Sequence, residues 1–209
     1  EKNLVATRNR KTDVTGQFAL PNRYEGIYIR AANSNVIGGG LPGAGNLISG
    51  NTTRGLRITN SFYTEISGNL IGTRLDGVTA LANGQFNVEL EENSSRNQIG
   101  GGPGGAGNRI AFSGGNFAAI RVRDLSTNNA ILGNAVFANT GLGIDLSVAG
   151  MTANDDCDSD AGGNLRQNFP VLTEAYSGAN TGVRGYLNSL PDATYRLQFF
   201  ASPACDSSG

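Results

Sequence analysis

Histidine and tryptophan are missing from this 209-residue chain, and methionine occurs once. Without His there is no imidazole general base and no His-dependent triad. Without Trp, and with only 6 Tyr and 9 Phe, few aromatic faces are left for stacking on sugars. No apolar run reaches the roughly eighteen residues of a membrane span. Charge is sparse and balanced, 16 Lys and Arg against 17 Asp and Glu, so the basic stripe of a nucleic-acid footprint is absent. Cys157 and Cys205 are the only cysteines. They are compatible with a disulfide in an oxidising compartment and equally with two free thiols. No leader is visible, and the pattern is already under way at Glu1-Lys2-Asn3-Leu4-Val5, so the chain reads as an excised or processed piece.

What the chain has in excess is glycine, 31 residues, together with many asparagines. Both recur in register. The run Asn35-Val36-Ile37-Gly38-Gly39-Gly40, leading into Pro42-Gly43-Ala44-Gly45-Asn46-Leu47-Ile48, returns 62 residues later. It is then Asn97-Gln98-Ile99-Gly100-Gly101-Gly102, leading into Gly104-Gly105-Ala106-Gly107-Asn108-Arg109-Ile110. A fixed period in such a composition signals stacked coils.

Short β-branched segments sort into three sets that cycle along the chain. The first holds Ile27-Tyr28-Ile29, Leu56-Arg57-Ile58, Val88-Glu89-Leu90, Ile120-Arg121-Val122 and Ile144-Asp145-Leu146. The second centres on Ile37, Ile66, Ile99 and Ile131, and the third on Val5, Ile48, Ile71, Ile110 and Val136. Three short strands per turn predict an all-β, right-handed parallel β-helix. Gly-rich inserts follow the second strand in alternate rungs. Another kind of insert, Thr7 to Asn22 and Thr73 to Asn83, follows the third strand, so the 62-residue unit is two rungs.

Asn3, Asn46, Asn69, Asn108 and Asn134 each lie two residues before the centre of a third-set strand. An Asn at a turn tolerates a left-handed backbone and can bond its neighbour rung through the amide, so these predict a stacked ladder. Asn35, Thr64, Asn97 and Asn129 predict a second one. On the first sheet Tyr28, Arg57, Glu89, Arg121 and Asp145 should stack outward, beside Arg30, Thr59, Glu91, Arg123 and Ser147. Cross-strand charge pairs of this kind contribute about 0.2–1 kcal/mol each.

The period ends near Ser147. Residues 1–150 are read as the β-helix and 151–181 as an acidic, loop-like segment. Residues 182–209 hold two terminal strands, Val183–Leu190 and Thr194–Ser202, forming a hairpin around Pro191-Asp192-Ala193. Two strands cannot stand alone. They are expected to cap the last rung, begin a further domain or contact another subunit.

Several motifs resemble a known family: the N-x-I-G-G…G-A-G-N-x-I-S-G-N run at 35–51, the G-N-x-I-G-T…A-L-x-N run at 68–83, Asn168-Phe169-Pro170-Val171-Leu172, and Arg184-Gly185-Tyr186-Leu187 with Tyr195 to Ser202. Together they are similar to the right-handed parallel β-helix repeat surface proteins of bacteria, often large and secreted. The resemblance covers nearly the whole chain and implies an extracellular or cell-surface location. It also implies that the last segment opens a further β-domain. Ile110-Ala111-Phe112-Ser113-Gly114-Gly115-Asn116 departs from the pattern, which predicts a local bulge.

Periodicity filters the candidate sites. The Gly loops open no helix and lack a following Lys-Ser/Thr, so they read as turns and not as phosphate cradles. Asn51-Thr52-Thr53 and Asn93-Ser94-Ser95 match the glycosylation sequon. The Arg–carboxylate column has the residue types of a polysaccharide lyase, but its regular alternation fits a structural ladder. Asp155-Asp156 is the only paired-Asp motif of the kind β-helix hydrolases use. What escapes the period is Asn154-Asp155-Asp156-Cys157-Asp158-Ser159-Asp160-Ala161-Gly162-Gly163. Carboxylates at alternate positions followed by Gly can wrap oxygens around Ca²⁺, with Asp156, Asp158 and Asp160 as ligands. The sequence therefore points to a non-catalytic structural or adhesive surface module, stacking end to end into a fibre on copies of itself or joined to further domains. The alternative is a β-helix that binds or degrades carbohydrate, with Tyr24, Tyr28, Phe62 and Tyr63 as the candidate aromatics.

Overall fold

In the computed structural model, residues 13–101, 106–147, 150–178 and 180–200 are described. Asn3, Val5, the start of the first insert and Cys205 lie outside them. The chain winds as a parallel β-solenoid of about four turns, with three short strands in each full turn.

The three strand sets form three sheets. The first sheet is β1 (Ile27–Arg30), β4 (Leu56–Thr59), β7 (Val88–Glu91), β10 (Ile120–Val122) and β13 (Ile144–Leu146), in that order and all parallel. The second stacks β2 (Val36–Gly38), β5 (Glu65–Ser67), β8 (Gln98–Gly100) and β11 (Ala130–Leu132). The third stacks β3 (Leu47–Ile48), β6 (Leu70–Ile71), β9 (Arg109–Ala111) and β12 (Ala135–Phe137). Every register is the one the repeat requires: Ile37 faces Ile66, Ile66 faces Ile99, and Ile99 faces Ile131.

Alternation turns one residue of each second- and third-sheet strand inward, and two residues of each first-sheet strand. Ile48, Leu56, Ile58, Ile66, Ile71, Leu90, Ile99 and Ile110 are all fully buried, and with their neighbours they form one continuous core. Each fully buried side chain of this size contributes roughly 1.5–3 kcal/mol of transfer free energy. A strand of two to four residues could not persist without that stacking.

The Gly turns have a steric cause. Gly38 and Gly100 have φ of +85° and +79°, and a Cβ on either would lie 2.1 Å from the carbonyl oxygen of Ser67 or Leu132. The insert after the third strand is a small excursion closed by an antiparallel bridge between Thr73 and Ala80.

The C-terminal hairpin exists but is built differently from the sequence expectation. β14 (Val171–Tyr176), inside the segment read as loop, pairs antiparallel with β15 (Gly182–Tyr186). Residues 187–200 form no strand. Two causes are visible. Asn188 and Ser189 are drawn into hydrogen bonds with the acidic segment, and Pro191 lacks the N–H a ladder needs. No helix among the described residues is long and apolar enough to cross a membrane.

Candidate functional site

The asparagine ladders set how the far end of the solenoid is closed. Asn46 donates its backbone N–H and its Nδ2 to Asn69 Oδ1, both at 2.9 Å. Asn69 does the same to Asn108 Oδ1, and Asn108 to Asn134 Oδ1. The Nδ2 groups of Asn69, Asn108 and Asn134 also donate back to a carbonyl of the previous rung, as Asn108 does to Ile66 at 2.8 Å. One side chain thus satisfies three buried backbone or amide groups that would otherwise be left without water. The second ladder runs through Asn35, Thr64, Asn97 and Asn129.

Two features go beyond what the sequence reading named. A third ladder links Asn22, Asn51 and Asn83. These residues lie five positions before Ile27, Leu56 and Val88, and that fixed offset was available in the sequence. Ser113 replaces the expected Asn in the next rung, pairing with Asn83 as an isolated bridge. This is within the departure noted at 110–116. The second ladder also has an additional member. Asn129 donates its N–H to Asn164 Oδ1 at 2.9 Å, and Asn164 Nδ2 returns a bond to the Asn129 carbonyl at 2.7 Å. Asn164 belongs to a 3₁₀ turn, Gly163–Arg166, and serves as one corner of a rung that is otherwise missing.

That turn hangs from the acidic segment. Asp158 is buried and is held on both oxygens. Oδ1 accepts from the Asn168 N–H at 2.9 Å, and Oδ2 accepts from Gln167 Nε2 at 2.8 Å and from the Ser189 hydroxyl. Asn168, also buried, bonds Asp155 through both its amide oxygen and its nitrogen and reaches the Asn188 carbonyl. The backbone is left-handed at Cys157 and Asp158, φ +57° and +55°, in a 3₁₀ turn over Asp156–Asp158. This turn decides which carboxylates come together. In an extended strand Asp156, Asp158 and Asp160 would share a side, but a 3₁₀ turn brings residues i and i+3 together. Asp155, Asp158 and Asp160 therefore converge, each with an oxygen within 4.8 Å of the others'. Asp156 instead accepts from Asn188 Nδ2 at 3.0 Å, and its charge raises the pKa of the adjacent Cys157 thiol above the usual thiol range.

Asp155 Oδ1 and Asp160 Oδ1 are buried without a hydrogen-bond partner among the described residues. Arg166 lies 3.7 Å from the other Asp160 oxygen. Oxygen donors at this separation, two of them unmet, suit a hard cation such as Ca²⁺ and leave little for a softer metal. Cys157 is exposed, and its proposed partner Cys205 falls outside the described residues.

The charged face of the first sheet stacks as the repeat requires, Tyr28, Arg57, Glu89, Arg121 and Asp145 in successive rungs. Its ion pairs run mainly on diagonals. Arg54 meets Glu89, Arg57 meets Glu91 and Glu25, and Arg123 meets Glu89 at 3.6 Å and Glu91 at 3.3 Å. Glu89 is completely buried under these guanidinium groups. Asp145, at the end of the column, is buried too; its carboxyl pKa is raised by desolvation, which Arg121 at 3.9 Å only partly offsets. Of the candidate stacking aromatics, Tyr24, Tyr28 and Tyr63 each already carry an arginine over the ring, at 5.5, 5.2 and 5.9 Å.

Comparison with protein-family models, with curated proteins and with solved structures finds no match to the chain.

Proposed function

We propose that this chain is a non-catalytic structural module of a bacterial surface or secreted protein, a short rigid solenoid that separates or joins other parts of an extracellular assembly. The observation that carries this reading is the fate of the outward charges. On the first sheet, where a β-helix enzyme would gather acids and bases, the carboxylates of Glu25, Glu89 and Glu91 are paired with Arg54, Arg57 and Arg123. Groups locked in such pairs brace neighbouring rungs. The sugar-stacking faces of Tyr24, Tyr28 and Tyr63 are occupied in the same way. A glycan array showing micromolar binding, or release of sugar from a polysaccharide panel, would replace this reading with the carbohydrate one.

End-to-end contact between copies is part of the proposal. β1, β2 and β3 each pair on one side only and have an outer edge with no partner among the described residues, and an unpaired edge seeks another strand. Sedimentation velocity across a concentration series tests this, with mass growing along a single linear series of oligomers; a strict monomer at high concentration removes assembly from the proposal.

In the same reading, Ca²⁺ held by Asp155, Asp158 and Asp160 fastens the closing segment to the last rung. Calorimetry with CaCl₂ should show one site lost in Asp158→Asn, with a rise in melting temperature in the parent chain. No heat and no thermal shift would dismiss the ion.

A further inference from the structure

At the C-terminal end of the solenoid the core is not sealed. The inward column of the first sheet is fully buried at Leu56, Val88 and Ile120, yet Ile144, next in that column, is 44% exposed. It opens into a cavity of about 590 Å³ between the last turn and the segment that folds back over it. The floor is Ile131, Ile144 and Leu146, the continuation of the solenoid core. The opposite wall includes Leu165, Phe169 and Leu197. This volume lies inside the range of small-molecule sites, roughly 300–1,000 Å³. Apolar side chains on both walls set the chemistry of its interior.

The charges around it are one-sided. The lining holds Arg166 and Arg196 and no carboxylate, in a chain whose acidic residues outnumber its basic ones, 17 to 16. Arg196 is exposed and makes no ion pair with a described residue. Arg166 leaves its Nε buried and without a hydrogen-bond partner among the described residues, although its other end meets Asp160. An apolar chamber with an uncommitted guanidinium at the wall suits a molecule with a hydrocarbon body and a single anionic head.

We propose that the cavity between the last rung and the closing segment is a binding site for a free amphiphilic anion of the long-chain carboxylate type. Its hydrocarbon lies on Ile131, Ile144 and Leu146, and its head is held by Arg196. The site is independent of any role of the solenoid as a spacer.

The test uses the whole chain, dodecanoate and dodecanol as probes, and displacement of the fluorescent sulfonate 8-anilinonaphthalene-1-sulfonate as readout. Dodecanoate should bind once per chain and displace the dye. Dodecanol should bind about tenfold more weakly, the ratio expected when one charge-assisted bond is lost. Arg196→Glu should weaken dodecanoate by at least that factor and leave dodecanol unchanged. Ile144→Trp should fill the floor and abolish both; if that variant does not fold by circular dichroism, Met151→Trp fills the cavity from the opposite side. The double variant Phe199→Ser/Phe200→Ser, which removes exposed rings, should bind as the parent does. The proposal is overturned by absence of saturable binding, by equal affinity for acid and alcohol, or by binding that survives the filled cavity and disappears with the two phenylalanines. Association with phosphatidylglycerol vesicles without binding of monomeric dodecanoate would likewise overturn it, since the surface would then be recognising a membrane.

Discussion

The solenoid body and the segment that closes it solve the same problem by opposite means. Between Ile27 and Leu146 the buried ladder asparagines find partners one rung away, at positions fixed by the period. Beyond Gly150 there is no next rung. Buried Asp158 and Asn168 are satisfied by a local set of groups, the Gln167 and Ser189 side chains and the Asn188 carbonyl, that nothing else in the chain repeats. The apolar side chains follow the same division. The inward ones of the body, from Leu56 to Ile120, are dry, whereas Tyr176, Tyr186, Phe199 and Phe200 are all more than half exposed. Periodicity therefore does more than set the fold: it lets very short strands share one core, and where it stops, burial becomes incomplete.

The sharpest way to break this contrast is to open a cavity in each region. Ile99→Ala in the middle of the core should cost about 2–5 kcal/mol, read as a fall in the urea midpoint. Leu172→Ala on the exposed hairpin should shift that midpoint barely at all. Equal losses would mean that the closing segment is as tightly packed as the body.

Next in size is the ladder. Asn108→Ala strips partners from Asn69, from the Ile66 carbonyl and from Asn134 together. Leaving such groups buried and unmet should cost on the order of 3 kcal/mol. Asn108→Asp, which keeps the accepting oxygen and loses the donor, should recover part of that loss at acidic pH, where the side chain is neutral.

Asn164→Ala probes the joint between the two regions. Three bonds to Asn129 disappear, but the site is partly exposed, so the expected loss is about 1 kcal/mol. Amide exchange of Asn129 and the cap should accelerate while that of Ile99 stays unchanged.

The smallest effects are electrostatic and of opposite sign. Asp76, bonded by Thr79 and Val78, has its pKa lowered to about 2 from 3.8. Its contribution to stability is complete above the unfolded value and fades as pH falls through about 2. Asp145 has a raised pKa through burial. Because the folded form holds the proton more tightly, its contribution is most favourable below the unfolded value and diminishes as pH rises through the folded one. Carboxyl titration by NMR should place the two midpoints on opposite sides of the model-peptide value.

How much of this was legible follows the same boundary. Strand centres at Ile37, Ile66, Ile99 and Ile131, and at Ile48, Ile71, Ile110 and Val136, could be read directly, because a repeated core position is stated several times over. So could the ladder from Asn46 to Asn134. The third ladder through Asn51 was missed although its offset was regular. Asn164 carried no usable signal, since its Gly163-Asn164 pair resembles Gly107-Asn108 and Gly133-Asn134 of the other ladder. At the acidic segment alternation pointed to Asp156 beside Asp158 and Asp160, whereas Asp155 is the carboxylate that lies near those two, since alternation presumes a strand and the left-handed turn at Cys157 and Asp158 is dictated by tertiary partners. The true hairpin was hidden for a similar reason: Asn188 and Ser189 are recruited by carboxylates some thirty positions earlier in sequence.

The one-way donation of backbone N–H groups along the asparagine ladders has a consequence for symmetry. Along each ladder the backbone N–H donates toward the C-terminal end and the carboxamide oxygen accepts from the other side, while Nδ2 donates both ways. An end-on dimer related by a two-fold axis would set acceptor against acceptor or donor against donor. Only a translation-like, heterologous contact can extend the bond pattern from one molecule to the next. The solenoid thus has a chemical arrow, written by a single side-chain type and independent of its sheets, which any neighbour joined through its ends must share.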